Sequence, residues 1–501
     1  MAKICLCLTG KTLKRDLEIL ETYRGYIDIA ELRVDCLEPD ERFLIRHFPE
    51  RAGLPVILTI RRDIDGGTFV GGEGARIRLL SQGLAFADAD RRRNFAYIDI
   101  EEDLNVPSLE DAARTFGTRI IRSYHNLKGV DDNIVERLRD LRRVGDELVK
   151  IAVTPQSSED VLRVVRAAKA TQGIDKILLC MGHLGVFTRI LAEQMGSRIS
   201  YTTAKESDMH PGAPGQLDPK ELSELYRFRK ITGCTKIFGV VGYPLKVTGS
   251  PLFFNTIFGI EDIDAVYVPF PADSIDAFMR LAAELRVSGV SVTVPYKEAI
   301  LPYLTKESKL VEAIEACNTI VREPQGWSGT NTDAMGFSDS LLEFIKRENL
   351  KRKKVTIIGA GGAAHAVAAE VYRLGARALI LNRTPQRARD LAAPYKFLWG
   401  TPDSQGVTRM KKFSDIIIQT TPAGMEGNPA QDPLELYSFS GKEAVMDLVY
   451  QPEVTPFLKR AAAAGCPVRN GYDMLIRQAR YQYTLFLKKE FPPQLVSRVK
   501  F

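Results

Sequence analysis

Histidine and cysteine are scarce in this chain of 501 residues, which has five histidines and seven cysteines. No two cysteines form a CxxC pair, so the sequence indicates neither a zinc cluster nor a disulfide framework. This cysteine usage is typical of a reducing compartment, and the N-terminal apolar run is too short for a signal peptide and shows no transit-peptide character. We therefore expect a cytoplasmic protein without a bound metal.

Long apolar runs and a strong excess of one charge are also missing. No apolar stretch approaches the roughly 20 residues of a membrane span. The 69 basic and 63 acidic residues leave a net charge of +6, which is too small to indicate a nucleic-acid partner and is equally consistent with arginines that bind small anions. The length exceeds what one hydrophobic core usually serves, so we expect two or three domains.

The first part of the chain alternates short aliphatic runs with helix-like polar stretches. The eight predicted strands are KICLCLTG, YIDIAELRVD, LPVILTIRR, FAYIDIEE, TRIIRSYHN, ELVKIAVTP, KILLCMG and RISYTTA. Helical segments lie between most of them, and one opens with a Ser-Ser-Glu-Asp capping signal. This arrangement predicts a (β/α)8 barrel of the TIM type, with an open doubly wound sheet as the alternative.

One of these strands, ELVKIAVTP, places Lys150 between two aliphatic runs. Lysine is almost never fully buried unless it is paired or used in chemistry, and a solvated lysine on an edge strand is the plain alternative. Period-two alternation places Lys150 on the inner face of the barrel. Apolar and cationic neighbours can lower the pKa of a lysine there, and the neutral amine can then form a Schiff base with a ketone.

Other polar residues fall on the inner faces of the neighbouring strands. His125, one strand away from the lysine, suits general acid–base catalysis near neutral pH, and Glu31 or Asp99 could orient its imidazole. Arg61 and Arg189 could bind a substrate carboxylate through paired hydrogen bonds. Each residue alone is more often structural, but together they predict an active site at the C-terminal ends of the barrel strands.

The first part resembles type I 3-dehydroquinate dehydratase along nearly its whole length. The matching stretches are ELRVD, LTIRRDIDGG, YIDIE, SYHN, VKIAVTPQSSEDV, MGHLGVFTR and APGQ. The resemblance implies an imine between Lys150 and the ketone of 3-dehydroquinate, with His125 as base and then as acid for the departing hydroxyl. It also implies supporting and substrate-binding roles for Glu31, Asp99, Arg33, Arg61, Arg189 and Gln216. Gly212 departs from the hydroxyl residue that is common before APGQ, which affects one substrate hydrogen bond.

A new α/β run begins at KIFGVVGYP, after a predicted helix and polar stretch over LDPKELSELYRFRKITGCTK. It contains the predicted strands VYVPF, SGVSVTVPYK and NTIV, a long helix through GFSDSLLEFIKREN, and a C-terminal helix over YDMLIRQARYQYTLFLKK. The domain boundary is therefore expected near 229–235.

The stretch VTIIGAGGAAHA gives G-x-G-x-x-A between a strand and a helix, the context of a dinucleotide-binding turn. A pyrophosphate would lie at the helix N-terminus, where free N–H groups and the helix dipole favour an anion. The next strand ends in Asn382 and Arg383, where NAD enzymes usually carry an acidic residue, and Arg387 follows one turn later. A neutral residue with two cations favours NADP.

Lys297 in SVTVPYK and Asp333 in GTNTD are a plausible acid–base pair, because a nearby carboxylate keeps a lysine protonated and able to donate. Taken alone, each is more often a surface residue.

The second part is similar to shikimate dehydrogenase from about Lys236 onward. The matching motifs are GYPLKVTGSPLFFN, SVTVPYKE, EACNTI, GTNTDAMG, GAGGAAHA, NRTPQRARDLA, TTPAGM, DLVYQPEVTP and GYDMLIRQA. This resemblance implies that Lys297 and Asp333 act at the carbonyl that receives hydride. It implies substrate contacts from Thr248, Ser250, Thr293, Asn318, Tyr450 and Gln478, and NADP contacts from Gly359, Gly361, Gly362, Ala363, Asn382, Arg383, Thr384 and Arg387. Thr248, Val247 and Ser291 replace a usual Ser, His and Asn, which leaves the preference for shikimate or quinate open.

The sequence thus predicts a barrel over 1–230, a substrate-binding domain over 235–337 plus 470–501, and a Rossmann NADP-binding domain over 338–469, the last two forming a two-lobed α/β unit. The predicted function is dehydration of 3-dehydroquinate followed by NADPH-dependent reduction of 3-dehydroshikimate to shikimate. One alternative is a Schiff-base aldolase barrel fused to a quinate dehydrogenase. The other is a ligand-sensing regulator derived from such enzymes, although no basic recognition segment for DNA is evident. The sequence does not decide the oligomeric state.

Overall fold

A computed structural model of the chain describes residues 1–85, 88–206, 215–245, 248–428 and 432–498. The chain divides into two compact units, Met1–Val287 and Ser288–Arg498. Within the described ranges, no helix combines the length and the apolar character needed to cross a membrane. The three predicted domains and their boundaries stay predictions.

Eight parallel strands form a barrel in the first unit. They are β1 (Lys3–Leu8), β2 (Ile29–Arg33), β3 (Val56–Thr59), β4 (Tyr97–Glu101), β5 (Arg119–Asn126), β6 (Leu148–Val153), β7 (Lys176–Cys180) and β8 (Ile199–Thr203). Their order is β7-β6-β5-β4-β3-β2-β1-β8, and an isolated parallel bridge between Lys176 and Ser197 links the two ends of the sheet. All eight predicted strands are confirmed, and the barrel is found in place of the open sheet.

Seven helices connect the strands of the barrel. They are α1 (Leu13–Tyr23), α2 (Phe48–Ala52), α3 (Glu73–Leu84), α4 (Pro107–Thr115), α5 (Ile134–Asp140), α6 (Ser158–Ala170) and α7 (Val186–Ile190). The predicted cap of α6 is confirmed, because the Ser157 hydroxyl accepts a hydrogen bond from the backbone N–H of Asp160 at 3.3 Å. The helical segment predicted after the barrel is short and interrupted. It consists of a π-helical turn and a 3-10 turn on either side of Arg227, which has a positive φ of 51° that interrupts helical geometry.

The inside of the barrel is apolar at the N-terminal ends of the strands and polar at their C-terminal ends. Leu148 and Ala152 of β6 belong to a buried cluster with the inward residues of the other strands. Val149, Ile151 and Val153 are also fully buried, as the strand alternation requires for the face toward the covering helices. Lys150 therefore lies on the inner face, as predicted.

The first unit continues with two strands and two helices. They are α8 (Ser250–Ile260), α9 (Ile275–Glu284), β9 (Lys236–Gly242) and β10 (Ala265–Pro271). β9 and β10 pair in parallel, from Lys236 opposite Ala265 to Gly242 opposite Pro271. The helix α9 packs against the barrel helix α6.

Ten strands of the described part of the second unit lie in two sheets. They are β11 (Gly289–Val292), β12 (Leu304–Glu307), β13 (Thr319–Glu323), β14 (Gly326–Thr330), β15 (Lys354–Ile358), β16 (Arg377–Leu381), β17 (Leu398–Gly400), β18 (Ile416–Gln419), β19 (Ala444–Asp447) and β20 (Val468–Arg469). The first four lie in the order β11-β13-β14-β12, and the other six form a parallel sheet in the order β17-β16-β15-β18-β19-β20. The latter order reverses direction between β15 and β18, which is the point where doubly wound sheets bind ligands.

The helices of the second unit are α10 (Lys309–Ile314), α11 (Thr332–Phe344), α12 (Gly362–Arg373), α13 (Pro385–Ala392), α14 (Ser404–Met410), α15 (Pro456–Ala463) and α16 (Tyr472–Leu487). The predicted strand–turn–helix–strand around GAGGAA is confirmed as β15, α12 and β16. α11 ends at Phe344, earlier than predicted, and Lys346 adopts a left-handed φ of 52°. α11 packs against α16, and a Cβ on Gly336 would lie 2.8 Å from the backbone nitrogen of Gln478. Glycine is therefore required for this close approach.

Candidate active sites

A cavity of about 330 Å³ lies at the C-terminal ends of the barrel strands. The predicted residues that line it are Glu31, Arg33, Arg61, His125, Lys150, Arg189 and Gln216. It is also lined by residues that were not predicted, among them Cys7, Asp65, Thr154, Met181 and Tyr201. Cys7, Thr154 and Tyr201 occupy inward positions of β1, the end of β6 and β8, so strand alternation could have indicated them.

The Lys150 ammonium is enclosed by two carboxylates and an aromatic ring. Its Nζ donates to Asp99 Oδ2 at 2.8 Å and lies 3.7 Å from Glu31 Oε1. The same Nζ lies 4.4 Å from the ring centroid of Tyr201. With only 6% of its side chain exposed, Lys150 is held at one position in the cavity.

Asp99 links the lysine to a chain of buried ion pairs. Its carboxylate accepts a hydrogen bond from Ser123 Oγ at 2.5 Å and pairs with Arg61 Nη2 at 2.7 Å. Arg61 also pairs with Glu101 at 2.6 Å. Burial by itself would raise the pKa of Asp99, but Arg61 and Lys150 outweigh burial and hold that pKa below its usual range. The carboxylate is therefore ionised at neutral pH.

His125 is partly buried and lines the same cavity. Its Nδ1 has no hydrogen-bond partner in the described part of the chain. The Glu31 carboxylate instead accepts from Thr59 Oγ1 at 2.9 Å and from Cys7 Sγ at 3.2 Å. Burial, together with the positive charges of Arg61 and Lys150, lowers the pKa of His125 well below its ordinary value. The imidazole is therefore neutral at neutral pH and able to accept a proton.

The three predicted arginines of the barrel differ in their partners. Arg33 donates to both carboxylate oxygens of Asp35, at 2.9 and 2.8 Å, and Arg61 is already paired with two carboxylates. Arg189 is only 2% exposed, and its Nε and Nη2 have no partner among the described residues. Burial lowers its pKa to about 10. Arg189 therefore offers two free N–H donors and a positive charge to an anion in the cavity.

Gln216 lines the same cavity, and its side-chain amide donates to Cys7 Sγ at 3.5 Å. Its amide oxygen is buried without a partner in the described ranges. Such an oxygen can accept a hydrogen bond from a hydroxyl group of a bound molecule. Gly212, the departure noted in the sequence, lies outside the described residues.

The second unit brings Lys297 and Asp333 together. Lys297 Nζ donates to Asp333 Oδ2 at 2.6 Å, and their side chains are 19% and 18% exposed. Lys297 follows β11, and its carbonyl accepts from the backbone N–H of Cys317 at 2.7 Å. Asp333 lies in the first turn of α11, where the Asn331 side chain caps the helix. The predicted acid–base pair thus lies within hydrogen-bond distance and remains accessible to solvent.

Two predicted substrate residues lie at the start of α11, beside this pair. The Asn318 amide donates to Thr332 Oγ1 at 3.0 Å and its oxygen accepts from the Thr332 backbone N–H at 2.7 Å. Gln478 Oε1 accepts from the same hydroxyl at 3.5 Å. Gln482, which was not predicted, accepts from Ser291 Oγ at 2.9 Å. The hydroxyl of Ser291 therefore anchors β11 to α16.

The other predicted substrate residues are partly buried. Thr248 Oγ1 donates to Ser250 Oγ at 3.3 Å at the N-terminus of α8. Thr293 follows β11 and Tyr450 follows β19, and burial raises the pKa of Tyr450. Val247 lies outside the described residues. The substrate roles of these residues stay predictions.

The dinucleotide-type turn between β15 and α12 has room for a ligand. Gly359 has a φ of 112°, and a Cβ there would lie 2.5 Å from Thr420 Oγ1. Around the positions of a Cβ on Gly361, the N-cap of α12, and on Gly362, no atom lies within 4 Å. Ala363 follows them in the first turn and is partly buried. The N-terminus of α12 is therefore open to an anion such as a pyrophosphate.

Two exposed arginines follow the end of the neighbouring strand β16. No ion pair or hydrogen bond joins the guanidinium of Arg383 or Arg387 to another described residue. Asn382 is fixed between them and the sheet, since its side chain donates to the Thr384 carbonyl at 3.0 Å and its backbone N–H donates to Gly400 at 3.1 Å. The arrangement places the neutral Asn382 and two cations at the end of the strand where a dinucleotide ribose lies in such folds.

Comparison with known proteins matches three stretches of the chain to family models. Residues 4–232 match the family model of type I 3-dehydroquinase, residues 240–320 that of the shikimate dehydrogenase substrate binding domain, and residues 342–425 that of shikimate / quinate 5-dehydrogenase. The bifunctional 3-dehydroquinate dehydratase/shikimate dehydrogenase, chloroplastic, of Arabidopsis thaliana is 29% identical over 97% of this chain and 82% of its own length. The shikimate dehydrogenase (NADP(+)) of a Nostoc species is 34% identical over 54% of this chain and 96% of its own length. A crystal structure of shikimate dehydrogenase from Aquifex aeolicus is 30% identical, with a TM-score of 0.49, over 54% of this chain and 98% of its own.

Proposed function

This chain belongs to the family of fused type I 3-dehydroquinate dehydratases and shikimate dehydrogenases, and from that premise we propose that its two sites act in succession. The barrel dehydrates 3-dehydroquinate to 3-dehydroshikimate, and the second site reduces that product to shikimate with NADPH. The assignment of the first site rests on one observation. Lys150 and Arg189 line the same cavity, and Nε and Nη2 of Arg189 have no hydrogen-bond partner among the described residues.

The dehydration begins with binding of the substrate carboxylate by Arg189. Buried N–H donors without partners are costly, so a carboxylate that satisfies them binds favourably. Arg33 and Arg61 line the same cavity and add positive charge around the bound anion. Gln216 also lines it and can accept a hydrogen bond from a substrate hydroxyl. Because the cavity is of the size of a small ligand site, the bound ring lies within reach of Lys150.

Lys150 then forms the imine. The lysine nitrogen bonds to the ketone carbon, and the ketone oxygen leaves as water with two of the three ammonium protons. The third proton stays on the nitrogen, and Asp99 and Glu31 stabilise the resulting cationic imine. The imine withdraws electrons from the neighbouring carbon, and the neutral His125 removes a proton there. The imidazolium then protonates the departing hydroxyl, and hydrolysis of the imine regenerates the lysine. The net change is the loss of one water from 3-dehydroquinate.

The second site fits NADP(H). The glycine turn leaves the N-terminus of α12 open, and Arg383 and Arg387 provide the two charges that a 2′-phosphate requires. The bound cofactor supplies the hydride. Lys297 donates a proton to the carbonyl oxygen of 3-dehydroshikimate, and Asp333 accepts a hydrogen bond from the lysine Nζ and fixes its position. Gly359, Gly361, Gly362, Ala363, Asn382 and Thr384 complete the proposed cofactor contacts.

The remaining predicted residues supply the proposed contacts to shikimate. These are Thr248, Ser250, Thr293, Asn318, Tyr450 and Gln478. The substrates are small molecules of the shikimate pathway. The cytoplasmic location and the absence of a nucleic-acid partner stay predictions from the composition.

A coupled assay tests both steps in one chain. Purified protein is mixed with 3-dehydroquinate and NADPH, and the absorbance of NADPH is followed. We expect a steady loss after a lag, during which 3-dehydroshikimate accumulates. No loss with 3-dehydroquinate, together with a loss when 3-dehydroshikimate is added, would contradict the dehydration alone. No loss with either substrate would contradict the reduction.

Two further measurements separate the alternative functions. Product analysis by mass spectrometry distinguishes dehydration, which removes one water, from an aldolase reaction, which breaks a carbon–carbon bond. Oxidation rates with shikimate and quinate then determine which polyol the second site prefers. Faster oxidation of quinate would assign the second site to a quinate dehydrogenase.

A further inference from the structure

Part of the barrel surface next to the dehydratase cavity is covered by residues that come after the barrel in sequence. The ring of Phe187 in α7 lies 5.1 Å from the ring of Phe270 in β10. Each of these residues is 1% exposed. The contact lies within the first unit, and the barrel would expose the Phe187 ring if β10 were absent.

The helix that carries Phe187 also carries Arg189. α7 contains only five residues, and helices of this length are not stable by themselves, so its orientation depends on packing. Phe187 packs away from the cavity against Phe270, whereas Arg189 lines the cavity two residues later. The position of the Arg189 guanidinium is therefore coupled to the ring of Phe270.

A second contact holds the helix that follows the strand of Lys150. The backbone N–H of Ser158, at the start of α6, donates to the Asp273 carboxylate at 2.8 Å. The backbone N–H of Asp273 donates in return to Ser158 Oγ at 3.0 Å. A carboxylate at a helix N-terminus satisfies a free N–H group and stabilises the helix dipole. The segment between Lys150 and Ser158 includes Thr154, which lines the cavity.

We propose that Phe270 and Asp273, which lie beyond the barrel, are positioning residues of the dehydratase site. Phe270 fixes α7 and with it the Arg189 guanidinium that receives the substrate carboxylate. Asp273 fixes the start of α6 and with it the segment after Lys150. The inference rests on the proposed dehydration of 3-dehydroquinate. It makes the first activity of the chain dependent on residues of the part that resembles a dehydrogenase.

The test is the full-length Phe270→Ala variant assayed for dehydration of 3-dehydroquinate. The variant disturbs the Arg189 guanidinium, which binds a carboxylate remote from the reacting carbons. KM for 3-dehydroquinate should therefore rise by about tenfold, while kcat stays within about twofold of the wild type. Phe270→Leu, which keeps an apolar side chain against Phe187, should restore most of the affinity. Phe187→Ala removes the same contact from the barrel side and should raise KM in the same direction.

The matched control is Phe254→Ala. Phe254 is fully buried and stacks at 4.5 Å on Tyr267, which lies on β10 three residues before Phe270 and on the opposite face of the strand. Its removal disturbs the same strand without touching the ring pair. We expect an unchanged KM for 3-dehydroquinate in this variant. An equal rise in both variants would show a general loss of structure and would overturn the proposal.

The Asp273 contact has its own pair of variants. Asp273→Ala should lower kcat/KM for dehydration by about fivefold, and Asp273→Asn should restore it, because an amide oxygen still accepts from the Ser158 N–H. An unchanged value in the alanine variant overturns this half of the proposal.

The remaining outcomes are also decisive. If Phe270→Ala does not fold, as judged by lost shikimate oxidation and circular dichroism, the result from Phe187→Ala decides, and an unchanged KM there overturns the proposal. A wild-type chain that does not dehydrate 3-dehydroquinate overturns the proposed function and this inference with it. An active wild type with a wild-type KM in Phe270→Ala overturns this inference alone.

Discussion

Lys150 Nζ lies 2.8 Å from Asp99 Oδ2, inside a barrel that is apolar at the N-terminal ends of its strands. The same carboxylate binds Arg61 and Ser123, and Arg61 continues to Glu101. A buried charge is tolerated only when it is paired and hydrogen-bonded, so the four charges stabilise one another. The pairing also fixes the direction of the lysine side chain, on which imine formation depends.

Asp99→Asn should therefore impair the dehydratase strongly. The amide keeps the shape but removes a negative charge beside the lysine and leaves Arg61 with one carboxylate fewer. We expect kcat for dehydration to fall by about 100-fold, the lower end of the range for loss of a positioned catalytic group. Shikimate oxidation by the same sample serves as the control for folding and should not change. A dehydration rate within a factor of two or three of the wild type would contradict a role for this pair.

The two lysines should be separable. Lys150→Ala should abolish dehydration and spare shikimate oxidation, and Lys297→Ala should do the reverse, because each amine serves a different reaction. Loss of activity should exceed about 100-fold in each case. Borohydride added with 3-dehydroquinate should trap the imine, and peptide mass spectrometry should locate the adduct on Lys150. A single substitution that silences both activities in a folded chain would contradict this division.

The pH dependence of dehydration should reflect His125. Burial and the charges of Arg61 and Lys150 lower its pKa well below 6.5, so the neutral base persists at lower pH than in an ordinary histidine. As the pH falls through the lowered pKa, the imidazole gains a proton and kcat/KM should decline. We expect the acid limb of the kcat/KM profile below pH 6.5 in the wild type. An acid limb above that value would argue against His125 as the base.

His125→Gln provides the check on that assignment. It should lower kcat by about 100-fold or more, as expected for loss of a general base. The acid limb seen in the wild type should be absent from the remaining activity. Persistence of the same limb would assign it to another group.

The arginines after β16 should determine the cofactor preference. Arg383→Ala and Arg387→Ala should each raise KM for NADPH by about 10- to 100-fold, because each removes a charge-assisted hydrogen bond of about 1.5–3 kcal/mol. KM for NADH should change little, since NADH lacks the 2′-phosphate. Arg389→Ala is the matched control, an exposed arginine on the same helix α13. An equal effect of Arg389→Ala would show that only the general positive charge matters.

Asp447 should make the stability of the second unit depend on pH. The residue is fully buried at the end of β19, and burial raises its pKa to about 6, although Thr455, the Val449 N–H and Gln419 donate hydrogen bonds to it. The folded chain therefore binds this proton more tightly than the unfolded chain, whose ordinary pKa is near 3.8. The protonated Asp447 therefore contributes to the free energy of unfolding below pH 4. This contribution, at most about 3 kcal/mol, is lost as the pH rises through about 6.

Asp447→Asn removes that titration. The difference in unfolding midpoint between the variant and the wild type, measured by thermal denaturation, should increase in favour of the variant from pH 4 to pH 7. Equal pH dependence of the two proteins would show that the Asp447 carboxyl does not titrate in this window.

Local sequence patterns were sufficient for most of the helices and strands and for the inward direction of Lys150. The eight strands of the barrel follow from short aliphatic runs, and the inner position of Lys150 follows from period-two alternation. The G-x-G-x-x-A turn and the absence of an acid after β16 indicated the cofactor class. The break in the helical segment after the barrel could not be predicted, because the left-handed backbone at Arg227 is not visible in a pattern of apolar spacing.

What the sequence by itself determined is the type of each element and the chemistry of each strand end, because both depend on neighbouring residues in the chain. Only the tertiary structure decided which charges are already paired. It assigned Arg33 to Asp35 and Arg61 to Asp99 and Glu101, and left two N–H groups of Arg189 without a described partner. It also brought Phe270 to Phe187 across 83 positions of sequence. Ion pairs and packing contacts of this kind join residues that are distant in the chain, so no local pattern contains them.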